Sequence, residues 1–545
     1  MTASQTTTPA QPALLFCGSN KWDTHGRDRK DAIPYGTEVL APHRLVGGRT
    51  LGVARSGASG RDGAGGLATL SAVVKVRSGP VAGHAVLVLS DGRALALGRN
   101  TYGELGAGTR RRFAPVFLPV ALPRGAMCVD VACGKTHTLF LTRDGEVYAA
   151  GANDCGQLGL GKDGGRPSVL PATATPVRLS HLADEMQVRV QQVACGENFS
   201  MLLSEEGDLY TFGTHRDGVL GHGTNGEVIE MRKVAVDFEP TPRRIVRLIG
   251  SDGSLIEQDA ADAERVRFVQ VVCGQRHAAA LDSTGRVWTW GFGGYGRLGH
   301  RVPKDEWRPR SIEIFERFRS DRRRCTKLYA GAACCYALTE LGALYFWGTT
   351  SRTSEATTTP QMVYDLHGWR TRSVSVGLSS TMVACEERAT VAWGPAPAHG
   401  EMGFGDTVSG RNFGGHVGIS KSSTHPRIVE PLQGVQVTEV AMGAFFTLLW
   451  VSAEDAAASE GDGAAVSALP ELCWDADADI GSEPTNEAVI ESGVPEVERP
   501  TKRGRKKKAA AGNAEKSGSK SRQPLNTALK PAAVRSRPAK KGRAA

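Results

Sequence analysis

Residues 273 to 299 read CGQRHAAALDSTGRVWTWGFGGYGRLG, from Cys273 to Gly299. Two short apolar runs, HAAAL and VWTWG, flank a turn that contains Gly285, and a glycine cluster closes the stretch. Gly274 and Gly291 stand 17 residues apart, and the same spacing separates Gly134 from Gly151, Gly196 from Gly213, Gly331 from Gly348 and Gly377 from Gly394. In four of these five units a glycine follows the first by 11 residues (Gly145, Gly207, Gly285, Gly342), and Arg388 takes that place in the fifth. An earlier unit, aligned on Gly83-His84, ends at Gly98 with Asp91-Gly92 in its turn. Self-similarity at fixed spacing is the mark of a repeat architecture.

Each unit reads as a β-hairpin. VYAAG, LYTFG, VWTWG, LYFWG and VAWG are short apolar runs ending at glycine, and each follows a run such as HTLFLT or FSMLLS. Asp91-Gly92 and Asp144-Gly145 supply the positive φ that a tight hairpin turn needs. The motifs GELG, GQLG, GVLG, GRLG and GEMG place a further turn beyond the hairpin. A hairpin cannot bury its apolar face alone, so the units must pack on one another. The closing glycines are Gly18, Gly98, Gly151, Gly213, Gly291, Gly348 and Gly394; the opening ones are Gly79, Gly134, Gly196, Gly274, Gly331, Gly377 and Gly443. Gly18 has no opening partner before it, and Gly443 has no closing partner after it. If those two half-units complete one blade, the fold is an all-β, closed, seven-bladed propeller with Leu14 to Gly18 as its clasp. Closure removes exposed strand edges.

Composition agrees. Glycine is abundant at 66 residues and aromatics are few at 6%, a balance suited to short strands and tight turns. The absence of any long apolar window argues against a membrane span. MTASQTTTPAQPA lacks the basic and apolar regions of a secretory signal. The 11 scattered cysteines include no C-x-x-C pair, which fits a reducing compartment and gives no support to a zinc site. Four segments are expected: a disordered start (1–13), the propeller (14–451, with a Gly-rich insertion at about 47–66), an acidic linker (452–500) and a basic tail (501–545). The net charge of +9 is unevenly spread: the tail alone holds fifteen Lys or Arg against one acid, Glu515.

These residues resemble the regulator-of-chromosome-condensation repeat family. Within it, CGSNKWD (Cys17 to Asp23), WGFGGYGRLGH (Trp290 to His300), KDEWRPR (Lys304 to Arg310), LYFWGTTSRTSEATTTP (Leu344 to Pro360), DLHGWR (Asp365 to Arg370), WGPAPAHGEMGFGD (Trp393 to Asp406) and VAMGAFFTLLW (Val440 to Trp450) resemble its mitotic telophase-disc branch. The resemblance implies a monomeric propeller that associates with chromosomes, centromere and spindle midzone in mitosis. In interphase it implies a nuclear and nucleolar protein. It also implies engagement of small GTPases of the Rac and Ral type, with nucleotide exchange proposed for the branch. The Gly47 to Gly66 insertion and the charge-divided tail depart from that pattern. One alternative is a Ran-type exchange factor on chromatin, whose sign would be a protruding β-wedge; no segment clearly supplies one. Another is a non-catalytic module for microtubules or ribonucleoprotein.

No covalent active site, cofactor site or metal site stands out. His84, His137 and His277 share a register with Phe199, Cys334, Ser380 and Phe446, which reads as a packing position. The glycines of WGFGGYGRLGH lack the strand–helix context and Lys-Ser/Thr pair of a phosphate loop. An exchange factor needs neither, since it acts by binding the nucleotide-free GTPase more tightly. Partner contacts are expected on the long inter-blade loops: Gly223 to Arg267 with Arg243 and Arg244, Arg301 to Arg324 with Arg317, Arg319, Arg322, Arg323 and Arg324, and Gly161 to Val190. The same loops could simply cover blade edges. In the tail, Lys502, Arg503, Arg505, Lys506, Lys507 and Lys508 form one basic run, and Arg535, Arg537, Lys540, Lys541 and Arg543 a second. They read as a nuclear import signal or an electrostatic contact to nucleic acid or nucleosome. Arg503-Gly504-Arg505 resembles a minor-groove hook.

Overall fold

The computed structural model describes residues 11–19, 38–46 and 70–473, apart from 164–165, 168–171, 231–232, 260–264, 318–322, 351–355, 395–398, 406–422 and 460–465. The Gly47 to Gly66 insertion, Arg319, Arg322 and both basic runs of the tail lie outside the described residues.

Seven antiparallel sheets form the seven blades of a propeller. Blade four is built from the stretch quoted first. Its inner strand is Phe268–Cys273, followed by His277–Asp282, Val287–Gly291 and the outer strand Glu306–Ser311. Blade one begins at Val73–Arg77, blade two at Cys128–Cys133, blade three at Val190–Cys195, blade five at Cys325–Ala330 and blade six at Thr371–Val376. Blade seven joins the two ends of the ring. Glu439–Met442 and Phe446–Val451 are its inner strands; Ala13–Ser19 pairs with Phe446–Val451, and Glu38–Val46 pairs beyond it. The clasp is therefore where the unpaired glycines put it. It is also longer, because Glu38–Val46 emerges from a stretch that composition marks only as connector.

Why the runs are apolar throughout, rather than alternating, follows from the packing. A middle strand of a propeller blade is covered on both faces. In blade four, Ala278, Ala280, Trp288 and Trp290 face blade three, where they meet Phe199, Met201 and Leu203. Ala279, Leu281 and Val287 face blade five, against Ile312, Cys335 and Trp347. The Trp290 indole N–H donates to the Val219 carbonyl of blade three at 2.8 Å, so a large buried side chain leaves no polar atom unpaired.

The two glycines of each unit do different jobs. At the opening glycine of blade four the ring three residues later occupies the space: a Cβ on Gly274 would run into His277 and would stand 2.6 Å from the Gly331 carbonyl of the next blade. The closing glycine Gly291 has φ of 100°, a conformation that L side chains avoid, and sits where the ladder to the outer strand slips register. In the fifth unit Arg388 adopts φ of 55° in the turn position that its sister units give to glycine.

Three short elements lie among the described residues of the segment that composition assigns to the acidic linker, one of them a single 3-10 turn, Val466–Ala468. Ala453–Ser459 is a helix and Glu471–Cys473 a strand parallel to Glu38–Val46. Asp455 is the anchor: its carboxylate accepts from Arg372 at 2.8 Å and from the Ser452 hydroxyl at 2.9 Å, and also from Thr438.

Candidate interaction faces

Antiparallel order gives the ring two unlike faces. On the loop face lie the links after each opening glycine and the turns after each closing glycine. On the turn face lie the Asp-Gly hairpin turns and the connections from blade to blade. The axis between them is lined by inner strands, among them Cys133, Cys195 and Cys273, whose thiols burial pushes well up.

Polar side chains in the axis are spent on stitching neighbouring blades. Gln192 donates to the Val271 carbonyl and accepts from its N–H, at 3.1 and 2.9 Å. Gln270 does the same to Leu328, at 2.8 Å both ways. Ser373 accepts from the Val440 N–H at 3.1 Å. Glu439 accepts from the Val76 N–H at 2.8 Å and also pairs with Arg77, which carries the stitching across the clasp. Arg77 donates to Asp130 at 2.8 Å; burial pushes that carboxyl up, but Arg77 and Lys75 overcome it and hold it below the usual range. This channel is a structural device.

The register histidines are structural too. Thr138 donates its only hydroxyl proton to the Glu104 carbonyl at 2.6 Å, so His84 Nε2, 2.7 Å from that hydroxyl, must be the donor. The same logic makes His137 a donor to Ser200, which itself donates to Gln157. Burial pushes His84 and His277 down to about 3 and His137 to about 4, keeping all three neutral. His222 and His300 repeat the pattern one layer out, against Thr211 and Thr289, and burial takes both to about 3. Among the described residues no group of three His, Cys, Asp or Glu side chains forms a metal site.

The long loops divide between the faces. Gly223 to Arg267 is three elements. The first is a hairpin on the loop face, Glu227–Glu230 paired antiparallel with Lys233–Val236. The second is the outer strand of blade three, Phe238–Arg244, and the third a hairpin, Arg247–Ile249 with Leu255–Glu257, that extends the sheet of blade four. Sequence reading does not find this hairpin. Its signal is an apolar pair, Val228-Ile229, set between glutamates inside an insertion free of the repeat's spacing. The hairpin's base is fixed: the Asp237 N–H donates to the Gly226 carbonyl at 2.7 Å and the His215 N–H to Asp237 at 3.0 Å. Its flank is apolar and open, with Ile229 82% exposed. Beside it, Cys155, Asn198, Arg216, Asp217, Arg276 and Val236 line a cleft of about 290 Å³.

Of the loop arginines singled out from sequence, the described ones are largely tied to carboxylates, with Arg244, Arg317, Arg323 and Arg324 toward the turn face. Arg244 pairs with Asp208 at 3.1 Å and Asp259 at 2.5 Å, Arg243 with Glu239 at 3.6 Å, and Arg324 with Glu340 at 2.8 Å. Arg317 pairs with Glu313 on a short helix, Glu313–Arg317, and Arg323 lies near Tyr345. The structure does not bring these arginines together with the loop-face cleft.

A model of the RCC1-like domain matches residues 118–468, and one of the regulator of chromosome condensation (RCC1) repeat matches residues 91–141. Protein RCC2 of Mus musculus is 37% identical over 455 residues, which cover 82% of this chain and 78% of that protein. The RCC2 homolog of Xenopus laevis is 36% identical over 448 residues, 81% of this chain and 77% of that one. Among solved structures, yeast RCC1 (Prp20) bound to Kap60 is similar with a TM-score of 0.58 at 16% identity, over 83% of this chain and 91% of that chain. Human WBSCR16 has the same TM-score at 19% identity, over 81% and 100%. With its repeats, its ring of blades and relatives of this identity along four-fifths of its length, the chain belongs to the regulator of chromosome condensation (RCC1) family.

Proposed function

We propose that this protein is a chromosome-associated regulator that acts in mitosis through a small GTPase of the Rac or Ral class, whose nucleotide exchange it promotes from the loop face. The observation that carries exchange from the loop face, as distinct from the class of GTPase, is the hairpin of Glu227–Glu230 and Lys233–Val236, a wedge with a fixed base and an exposed apolar flank beside a charged cleft. Exchange requires no covalent step. A wedge that binds the nucleotide-free GTPase more tightly than the loaded form accelerates release by differential affinity alone. The identity to proteins named RCC2 supports the Rac or Ral class, since it points to the branch indicated by the discriminating segments. The wedge itself favours a second reading, a Ran-type exchange factor.

Full-length protein is expected to accelerate release of labelled GDP from a Rac- or Ral-class GTPase. Ile229→Asp, at an exposed position, is expected to reduce that acceleration by roughly tenfold or more, as loss of an interface anchor does. Acceleration confined to a Ran-class GTPase would establish the second reading, and none anywhere would leave a binding scaffold.

The basic tail supports chromosome contact and nuclear import, with nuclear and nucleolar residence in interphase and chromosomes, centromere and spindle midzone in mitosis. Deleting residues 501–545 is expected to weaken DNA binding by about tenfold or more at low salt and to flatten its dependence on salt. Binding with an unchanged salt slope would move the contact to the propeller.

A further inference from the structure

Arg297 is the residue of the opening stretch that the repeat does not account for. Its counterparts in the other closing turns are Glu104, Gln157, Val219 and Glu401. In blade one, Glu104 is neutralised by Arg99 at 2.9 Å. In blade four the place of Arg99 is taken by Phe292, and Arg297 pairs with no carboxylate among the described residues. It is nevertheless only 4% exposed. Its Nε donates to the Gly294 carbonyl at 2.9 Å and its Nη1 to the Ala332 carbonyl at 3.4 Å, while Nη2 makes no hydrogen bond among the described residues. A second cation is close: Arg297 and Arg276 lie 4.8 and 4.4 Å from the centre of the same Phe292 ring. Arg276 is held by Asp217 at 2.6 Å. Beside Arg297 stands Tyr295, its ring centre 5.7 Å from the guanidinium and its side chain 43% exposed.

This arrangement is costly to the fold. A guanidinium without a counter-ion and largely out of water is unfavourable, and a neighbouring cation makes it worse. Burial and Arg276 together push Arg297 down to about 10. The fold does not require the charge, because sister blades accept Gln and Val at this place. Costly groups that packing does not call for persist where binding uses them.

We infer that Arg297 receives the carboxylate of an acidic side chain on a partner protein docked against the loop face, with Nη2 as the open donor and Tyr295 as an aromatic rim. One open donor edge beneath aromatic rings suits a planar monoanion better than a tetrahedral dianion, which calls for several donors. The inference rests on the loop face being the partner-binding face proposed above, and it names the chemistry that face recognises.

The test is thermal unfolding of the full chain, with and without hexaglutamate or inorganic phosphate, for wild type and Arg297→Gln. The variant copies blade two, so folding should be preserved. It is expected to unfold at or above the wild-type temperature. Hexaglutamate is expected to raise the wild-type midpoint, and the variant should need roughly tenfold more peptide for the same rise. A midpoint below wild type would make Arg297 a packing residue and overturn the inference. So would an equal peptide effect on both proteins, or a rise with phosphate and none with hexaglutamate. Loss of the peptide effect in the variant, together with no accelerated GDP release from any GTPase, would sink the exchange reading and leave this site standing.

Discussion

Removal of residues 1–19 is expected to open the ring and abolish its cooperative unfolding near the wild-type temperature. Ala13–Ser19 is buried along its whole length and is paired on both sides. Leu14, Leu15 and Phe16 are fully buried, and Phe16 stacks on Phe446 with ring centres 6.1 Å apart. At about 2 kcal/mol for each such side chain, those three alone are worth about 6 kcal/mol. A folded domain typically holds about 5–15 kcal/mol in total. The deletion also strips Glu38–Val46 of its antiparallel partner and leaves Phe446–Val451 as an open edge. Phe16→Ala is the graded version, expected to cost about 3–5 kcal/mol by cavity formation. A truncated chain with the same sharp thermal transition as wild type would count against the clasp as the element that closes the ring.

Acid is expected to destabilise the propeller well before carboxylates titrate. In the unfolded chain His84, His137, His222, His277 and His300 take up protons near pH 6.5. In the fold, burial defers this to about 3 for four of them and about 4 for His137. Between those values the unfolded state binds more protons as pH falls, so stability is full above pH ~6.5 and drains below it. From about pH 7 to about pH 5.5 the loss is a little over ~1 kcal/mol per histidine, or about 6 kcal/mol for the five. The thermal midpoint should drop by roughly 10 °C over that interval. His277→Phe, which copies Phe199 and Phe446 of the sister blades, should remove about a fifth of the slope. A midpoint that stays flat over the same interval would show that these rings are not held neutral.

The ring was legible because its stereochemistry is unforgiving at regular places. Gly274 must be small to take the His277 ring, and Gly291 must turn at a φ of 100°, so each blade leaves the same spaced pair. The same spacing exposed the orphans Gly18 and Gly443, and with them the clasp. The hairpin at Glu227–Val236 was not legible, because an insertion outside the repeat is under no such constraint. Nor was the helix Ala453–Ser459. Its acidic composition suggests solvent, but Asp455 is fixed by Arg372, distant in sequence and adjacent in space. Arg297 fits the repeat as a letter; only its surroundings in space, two carbonyls and the Phe292 ring with no carboxylate among the described residues, show that its charge lacks a counter-ion.

The split blade has a consequence for how the chain must be made. Ala13–Ser19 leaves the ribosome before every other strand of the ring, yet it pairs with Phe446–Val451, the last of them. At about 5–20 residues per second the early strand waits tens of seconds for its partner. Throughout that interval a mostly apolar strand has only Glu38–Val46 to pair with, and the growing arc of blades ends in uncovered apolar faces. Birth of this protein is therefore its most aggregation-prone moment, and holding that first strand apart is a task for whatever meets the chain as it emerges.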